Sequence, residues 1–175
     1  MHRIDFKKHS SLNSASPESL RDALRQFASG VTIVTAEHDG ERYGITVSAF
    51  TAVSLEPPVI MVAINTASAL ADLILNAEHF AVHILSADQL ELSTRFADTI
   101  SGPEKYAGLA VKAGESGAPV VPGSLAILDC ALDQTLLVGT HMLMFGRVVL
   151  VDAVEEQGNP LIYYHRHYRG LAEDW

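Results

Sequence analysis

The segment GITVSAFTAVSLEPP, residues 44–58, decides the fold. Its residues alternate with the period of a β-strand, and Pro57 and Pro58 end the alternation because proline cannot donate to a sheet ladder. Small and hydroxyl-bearing side chains stand where a core strand would carry bulky ones. We therefore expect a strand that lets a ligand approach its backbone closely.

Further strands are predicted on both sides of this segment. VTIVTA, residues 31–36, is rich in β-branched residues, and the Asp-Gly pair in HDGER (38–42) predicts a hairpin that returns into a strand over residues 43–54. VIMVAI, residues 59–64, is apolar on both faces, which indicates an interior strand. The remaining predicted strands bring the count to about seven and cover residues 79–85, 124–138, 141–154 and 160–165.

Three short helices interrupt the strands. SPESLRDALRQFASG, residues 16–30, has Ser16 as its cap, an apolar face at Leu20, Leu24 and Phe27, and a stop at Gly30. The second helix begins at Ser68, and the third covers residues 88–98 with Asp88 as its cap. Residues 99–123 predict irregular surface structure with one helical turn.

Strands joined by hairpins, with only a few helices between them, favour a mostly β, antiparallel barrel over a doubly wound sheet. The chain has 175 residues, which suits one domain over residues 16–175 after a flexible polar leader at residues 1–15. Its longest apolar stretch is too short to span a bilayer, and no secretory signal opens the sequence, so we expect a cytoplasmic protein without a membrane partner.

Charge and cysteine content exclude other classes. The formal net charge of −9 argues against a nucleic-acid partner, which would require clustered Lys and Arg. The one cysteine, Cys130, cannot form an internal disulfide and is predicted to be a buried, inert thiol.

Three kinds of chemistry remain to be compared. Nucleophilic hydrolysis is disfavoured because no G-x-S-x-G motif is present. A metal site at His165 and His167, with His141 as a third ligand, is disfavoured because Arg166 and Arg169 would repel a cation, so no metal is predicted. The third class is flavin or nucleotide binding without the standard phosphate-binding glycine loops.

Hydroxyl groups in the opening segment suit that third class. Thr46, Ser48 and Thr51 carry hydroxyls that can bond ribityl or phosphate oxygens, and the small residues beside them leave room for an isoalloxazine ring. The alternative is that these residues only cover a solvated strand face.

An ordered set of motifs runs through the chain. They are FASGVTIVT (27–35), GITVSAFTAVSLEPP (44–58), N-x-x-S (65–68), F-x-V-x-I-L (80–85), LSTRF (92–96), GAPVV (117–121), G-x-H (139–141) and PLIYYHRHY (160–168). With these motifs the sequence resembles the flavin reductase-like family with the FMN-binding split barrel. Its members include the NAD(P)H:flavin oxidoreductase components of two-component flavin monooxygenases.

The resemblance implies a homodimer of Greek-key split barrels that passes hydride from NADH or NADPH to FMN or FAD. The reduced flavin would then supply a separate flavin-dependent monooxygenase. Two alternatives stay open: a flavin-binding electron carrier or sensor without nicotinamide turnover, and a non-catalytic partner subunit of an oxygenase.

Site residues follow from the resemblance by position. His141 is implied as the catalytic residue near the nicotinamide, with Tyr168 on the same side of the pocket, and Asn65, Ser68 and Arg95 at the phosphate end. The residues implied in cofactor binding are Thr32, Thr46, Val47, Ser48, Ala49, Thr51, Asn65, Ser68, Arg95, Phe96, His141 and Tyr168. Residue types alone would favour a surface ion pair for Arg95 and a structural role for His141.

Four positions depart from the family pattern. Ala49 stands where a hydroxyl or amide is common, Thr140 where Asp is common, and His83 where Asn is common. HRHY, residues 165–168, replaces an Arg-Gly pair before the tyrosine. The orientation of His141 and the cofactor preference depend on these positions.

Overall fold

The computed structural model of the chain describes residues 2–3, 13–100, 102–154 and 158–172. Within these ranges the strands are β1 (His2–Arg3), β2 (Ser29–Gly30), β3 (Thr32–His38), β4 (Glu41–Val47), β5 (Phe50–Leu55), β6 (Pro58–Asn65), β7 (His79–Ile84), β8 (Lys112–Ala113), β9 (Pro119–Val120), β10 (Ala126–Val138), β11 (His141–Ala153), β12 (Ile162–Tyr164) and β13 (His167–Arg169). The α-helices in the same ranges are α1 (Pro17–Leu24), α2 (Ala69–Ala77), α3 (Leu90–Ala97) and α4 (Gly102–Lys105).

One large sheet, in the order β4-β3-β7-β10-β11-β6-β5, forms the body of the molecule. Neighbouring strands along this path are antiparallel, and β1 adds to β10 in a parallel pair. Helix α2 buries Leu70, Leu73 and Ile74 in the core that the sheet encloses. The prediction of a mostly β split barrel with a few short helices is confirmed.

The first hairpin has the predicted turn. Asp39 and Gly40 join β3 to β4 with φ angles of 50° and 79°, the left-handed conformation that an Asp-Gly turn adopts.

The predicted strand over residues 43–54 is wrong in one respect, because it is two strands. β4 pairs with β3 and ends at Val47, whereas β5 begins at Phe50 and pairs with β6. The break lies at Ser48 and Ala49, where Ala63 N–H donates to Ala49 O over 3.0 Å. Alternation of residue types continues through the break, so the pattern could not show that the chain changes its pairing partner here.

Helix α1 begins as predicted but ends early. Ser16 Oγ accepts from Ser19 N–H at 3.1 Å, and the helix ends at Leu24. Ser29 and Gly30, the predicted end of the helix, form strand β2 and pair with β12. The described residues do not bury the predicted apolar face, since Leu24 is 59% and Phe27 73% exposed.

The start of α3 also differs from the prediction. A 3-10 helix, Ala87–Gln89, precedes it, and Gln89 Oε1 accepts from Ser86 N–H at 3.1 Å. Ser86 therefore begins this helical segment, and Asp88 lies inside it.

Residues 99–123 contain the predicted helical turn as α4, but they are not all surface structure. Lys105, Ala118 and Val121 are buried. The side chain of Asp129, which is also buried, accepts hydrogen bonds from the backbone N–H and the hydroxyl of Ser116 and so fixes this loop on β10.

Other predictions have mixed outcomes. Cys130 is buried as predicted, and burial raises the pKa of its thiol to about 12, with Asp129 adding to the rise. Residues 1 and 4–12 of the predicted leader lie outside the described residues, while His2 and Arg3 lie beside Leu136 and Leu137. In the described part of the chain no helix has both the length and the hydrophobicity to cross a membrane.

Candidate functional site

The break between β4 and β5 opens into a groove. Three adjoining cavities of about 510, 360 and 210 Å³ share Ser48 as a lining residue, and we name them together the Ser48 groove. Around Ser48 the lining residues include Phe27, Ser29, Thr32, Thr46, Ala49, Phe50, Ile84, Ala97, Tyr163 and Tyr168. The site predicted on GITVSAFT is therefore a concave surface with an exposed strand break at its centre.

A chain of hydrogen bonds connects β4 to the C-terminal hairpin along one wall of the groove. Thr46 Oγ1 donates to Ser93 O at 2.6 Å, and Ser93 Oγ donates to Tyr168 Oη at 3.0 Å. The ring of Tyr168 meets that of Tyr163 edge to face, with 5.4 Å between the centroids. These contacts hold two aromatic rings beside the hydroxyl of Thr46 and explain the position of Ser in LSTRF.

Gly44 serves packing. A Cβ at this position would lie 2.7 Å from Phe96 Cε1 and 2.9 Å from the hydroxyl of Tyr106. The ring of Phe96 is fully buried and meets the Tyr106 ring edge to face at 5.1 Å. Any contribution of Phe96 to ligand binding is thus indirect, through the position of β4.

The buried ammonium of Lys105 reinforces this contact. Lys105 Nζ donates to Gly44 O at 3.1 Å and to Phe96 O at 3.0 Å, and it lies 4.7 Å from the centroid of the Tyr43 ring. Burial lowers the pKa of Lys105, and the charge of Asp98 opposes that shift. Lys105 therefore joins β4 to α3.

Two more predicted residues of this region differ in their freedom to bind a ligand. The hydroxyl of Thr32 is buried and donates to Val47 O at 2.7 Å, so its hydrogen is already used within the protein. Thr51 is exposed on β5, and its hydroxyl donates to Ala52 O at 3.2 Å.

Asn65, Ser68 and His141 meet at the neighbouring end of the sheet. His141 lies beside Asn65 in the β6–β11 pair. Asn65 is two residues beyond Ala63, whose N–H donates to Ala49 O at the break. Ser68 Oγ caps α2 by accepting from Leu70 N–H at 3.3 Å. At a rise of roughly 3.3 Å per residue, this group begins about 7 Å along β6 from the break.

Thr140 orients His141. Thr140 Oγ1 and His141 Nδ1 share a hydrogen bond of 3.0 Å, whose direction follows from the tautomer of the ring. The hydroxyl therefore holds the imidazole at the position where the family pattern has a carboxylate, and His141 Nε2 is the ring nitrogen that remains for a ligand.

Arg95 stands on α3 with Nη1 donating to Ala107 O at 3.0 Å. This bond ties α3 to the loop after α4 and leaves other guanidinium donors for a phosphate. Its predicted place at the phosphate end stays a prediction.

Sequence reasoning missed the turn between β12 and β13. His165 and Arg166 form it with φ angles of 51° and 65°, a conformation that few residues other than glycine adopt. His165 and His167 therefore do not share the face of one strand, as the disfavoured metal site would require. Two adjacent polar residues with positive φ leave no clear signal in a sequence.

His83, the departure from Asn, is a buried imidazole. His83 Nδ1 donates to Ile33 O at 3.1 Å, and Nε2 accepts from Val121 N–H at 3.0 Å. The imidazole thus supplies one donor and one acceptor, as an Asn side chain would. Burial lowers the pKa of His83 to about 4, although the bond to Ile33 and the charge of Asp129 oppose the shift.

This lowered pKa predicts acid sensitivity of the fold. Below pH 6.5 His83 becomes protonated in the unfolded chain, whereas in the folded chain it stays neutral until the pH approaches its pKa of about 4. Between pH 6.5 and 5 the free energy of unfolding should fall by about 1.5 kcal/mol from this residue, because the slope approaches roughly 1.4 kcal/mol per pH unit only once the unfolded histidine is mostly protonated. Urea unfolding across this range should show the fall in the wild type and lose most of it in His83→Asn. A His38→Asn variant is the control, because His38 is partly exposed; an equal slope in all three proteins would contradict the assignment.

The groove fits a flavin in its chemistry. Its centre combines an exposed backbone break with hydroxyls and two tyrosine rings, which suits a flat heteroaromatic ring with a polar edge. Ser48 and Ala49 are both exposed at the centre of the groove.

Comparisons with known proteins give a consistent picture. Residues 24–172 match the family model described as flavin reductase like domain. The chain is 38% identical to the reductase component of 4-nitrophenol 4-monooxygenase/4-nitrocatechol 2-monooxygenase of Rhodococcus opacus, covering 94% of this chain and 86% of that protein. It is 33% identical to the FMN reductase (NADH) RutF of Pseudomonas syringae pv. syringae, covering 89% and 87%.

A solved structure agrees with these sequence matches. NADH:FAD oxidoreductase SgcE6 of Streptomyces globisporus C-1027 superposes with a TM-score of 0.85 at 27% identity, covering 94% of this chain and 99% of that one.

Proposed function

Because the chain belongs to the flavin reductase like family, we propose that it is an NAD(P)H-dependent flavin reductase that supplies reduced flavin to a partner monooxygenase. The observation that carries this proposal is the Ser48 groove, a concave site at an exposed strand break within a chain that matches flavin reductases along nearly its whole length.

The residues of the chain would act mainly by binding and positioning. Bound flavin supplies the hydride acceptor, and reduced nicotinamide supplies the hydride. The backbone at Ser48 and Ala49 would hold the polar edge of the flavin ring, and the rings of Tyr163 and Tyr168 would exclude water from one side. Such positioning accounts for much of the catalysis available when no protein nucleophile is needed.

Asn65, Ser68 and Arg95 belong to the proposal as phosphate-end residues. Ser68 N–H donates to Asn65 O at 2.9 Å at the end of β6, and Arg95 has guanidinium N–H groups beyond the one that bonds Ala107 O. Each can bond a phosphate oxygen, although Ser68 would then share its hydroxyl with the α2 cap.

His141 is expected to affect hydride transfer more than flavin binding. His141→Ala should lower kcat with NADH by about tenfold, since it removes one hydrogen bond of about 1–1.5 kcal/mol to the reacting rings. The dissociation constant of flavin, measured by fluorescence quenching, should change by less than about threefold.

Thr140→Val is the informative companion variant. It leaves the imidazole in place but removes its 3.0 Å partner, so kcat should fall by a smaller factor and in the same direction. Unchanged turnover with NADH in His141→Ala would refute the role of His141.

A homodimer is part of the proposal. Large apolar side chains stand exposed on two strands of the main sheet: Leu55 on β5 is 84% exposed, and Val149 and Val151, which share a face of β11, are 42% and 57% exposed. Exposed apolar residues on one sheet suit a subunit interface better than a solvated surface. Light scattering should give twice the 18.9 kDa mass of one chain.

A cytoplasmic location of the protein is also part of the proposed function.

An anaerobic assay tests the proposed activity directly. NADH and NADPH would each be mixed with the protein and FMN, FAD or riboflavin, and the oxidised flavin band would be followed. Loss of the band with at least one pair is expected. A protein that binds flavin but never bleaches it would be a carrier or sensor, and one that binds no flavin would be a partner subunit.

A further inference from the structure

The largest cavity of the Ser48 groove, about 510 Å³, lies between the end of α1 and the β12–β13 hairpin. Its lining residues are Arg21, Leu24, Arg25, Phe27, Ser29, Ser48, Ala49, Tyr163, His165 and Arg166. Three arginines and one histidine therefore surround the cavity, and no acidic side chain is among its described lining residues. This is unexpected in a chain whose formal net charge is −9.

Hydrogen bonds join the two walls of the cavity, which are the end of α1 and the β12–β13 hairpin. His165 N–H donates to Arg25 O at 3.3 Å, and Gln26 Nε2 donates to His165 Nε2 at 2.9 Å. Tyr163 lies beside Ser29 in the β12–β2 pair, which forms the floor. The cavity is thus built from three connected elements rather than from a loose surface.

The turn that carries Arg166 is conformationally costly. Both His165 and Arg166 have positive φ, a conformation that is unfavourable for residues other than glycine. A strained turn that is held by surrounding bonds is often found at a ligand site. Here it places Arg166 on the same cavity as Arg21 and Arg25.

Arg25 has a donor available for a ligand. One of its nitrogens, Nη1, bonds Asp22 at 2.5 Å. Its Nε is buried and has no hydrogen-bond partner among the described residues. The buried Nε is shielded from solvent, so the donors that Arg25 can offer a ligand are the remaining N–H groups of its guanidinium.

We propose that this arginine cavity binds the diphosphate of the reduced nicotinamide dinucleotide, an inference that rests on the reductase function proposed above. Guanidinium groups bind phosphate oxygens in pairs, and a diphosphate offers enough oxygens for Arg21, Arg25 and Arg166 together. The flavin phosphate is the rival anion. The cavity favours the donor, because the residues predicted for the flavin phosphate, Asn65 and Ser68, stand at the end of β6 instead.

Titration with ADP-ribose tests the proposal without turnover, because this fragment carries the diphosphate and lacks the nicotinamide. The double variant Arg21→Gln/Arg166→Asn should weaken ADP-ribose binding, followed by calorimetry, at least about tenfold, the scale of one lost charge-assisted hydrogen bond. Asn is chosen at 166 because it tolerates positive φ. Arg147→Gln, an exposed arginine of β11, removes a positive charge elsewhere and should leave binding unchanged.

Three further measurements separate the possible outcomes. The KM for NADH should rise about tenfold or more in the double variant, whereas turnover with the phosphate-free donor N-benzyl-1,4-dihydronicotinamide should be unchanged. Affinities for FMN and riboflavin should both stay constant. Unchanged ADP-ribose binding would overturn the proposal, as would weaker FMN binding with constant riboflavin binding, which would assign the arginines to the flavin phosphate. Failure of the wild type to oxidise NADH with any flavin would refute the reductase function. The ADP-ribose titration measures binding alone, so the two failures can be told apart.

Discussion

Ser48→Trp should abolish flavin binding while leaving the protein folded. Ser48 lines all three cavities of the groove, so an indole at this position fills the space that the flavin ring needs. The side chain of Ser48 is exposed, and its replacement does not enter the core. We expect the dissociation constant of FMN to rise by about 100-fold or more, which corresponds to roughly 2.7 kcal/mol, and flavin reduction by NADH to fall accordingly.

Two variants make this result specific. Glu41→Trp adds the same indole to an exposed position at the other end of β4, and it should leave both flavin binding and the melting temperature within error. Ser48→Ala removes the hydroxyl without adding volume and should weaken FMN binding by less than tenfold. Retained flavin binding in Ser48→Trp would mean that the flavin lies elsewhere, and the proposed site would be wrong.

Phe96→Ala should cause the largest loss of stability among these variants. The ring is fully buried between Gly44 and Tyr106, and its removal leaves a cavity that neither neighbour can fill. Truncation of a buried phenylalanine lowers the free energy of unfolding by about 3–5 kcal/mol. Urea unfolding should report this loss, whereas Leu90→Ala on the exposed side of the same helix should change stability by about 0.5 kcal/mol or less.

Gly44 offers a double-mutant test of the same contact. Gly44→Ala alone should cost about 1–3 kcal/mol, since its Cβ would lie 2.7 Å from the Phe96 ring. In the double variant Gly44→Ala/Phe96→Leu the smaller side chain leaves room for the new methyl group, so the combined loss should be less than the sum of the single losses. Strict additivity would show that the two residues do not share this space.

Much of the sheet could be predicted because its strands and turns have characteristic local residue patterns. The β3–β4 turn has an Asp-Gly pair, and β10 and β11 are long apolar segments around Gly139. The break at Ser48 and Ala49 could not be predicted, since it depends on which distant strand each half of the segment pairs with. Local alternation carries no information on that choice.

The site was predicted less completely than the fold. Resemblance named Ser48, Ala49 and Tyr168 as flavin-binding residues, which stays a prediction, and the structure places all three on the Ser48 groove. It gave no indication that Phe96 is a core residue, because a buried ring and a ligand-contacting ring look alike in a motif. The arginine cavity was missed because Arg166 reaches it through a turn that its residue types do not favour.

The strand break also gives the ligand an influence on the whole molecule. Residues on either side of Ser48–Ala49 belong to opposite margins of the sheet, β4 at one and β5 at the other. A molecule bound across this junction would contact both margins of the sheet, so separating β4 from β5 would require the molecule to dissociate first. Saturation with flavin should therefore slow exchange of the amide hydrogens in both β4 and β5. Release of the reduced flavin should restore faster exchange in the same two strands.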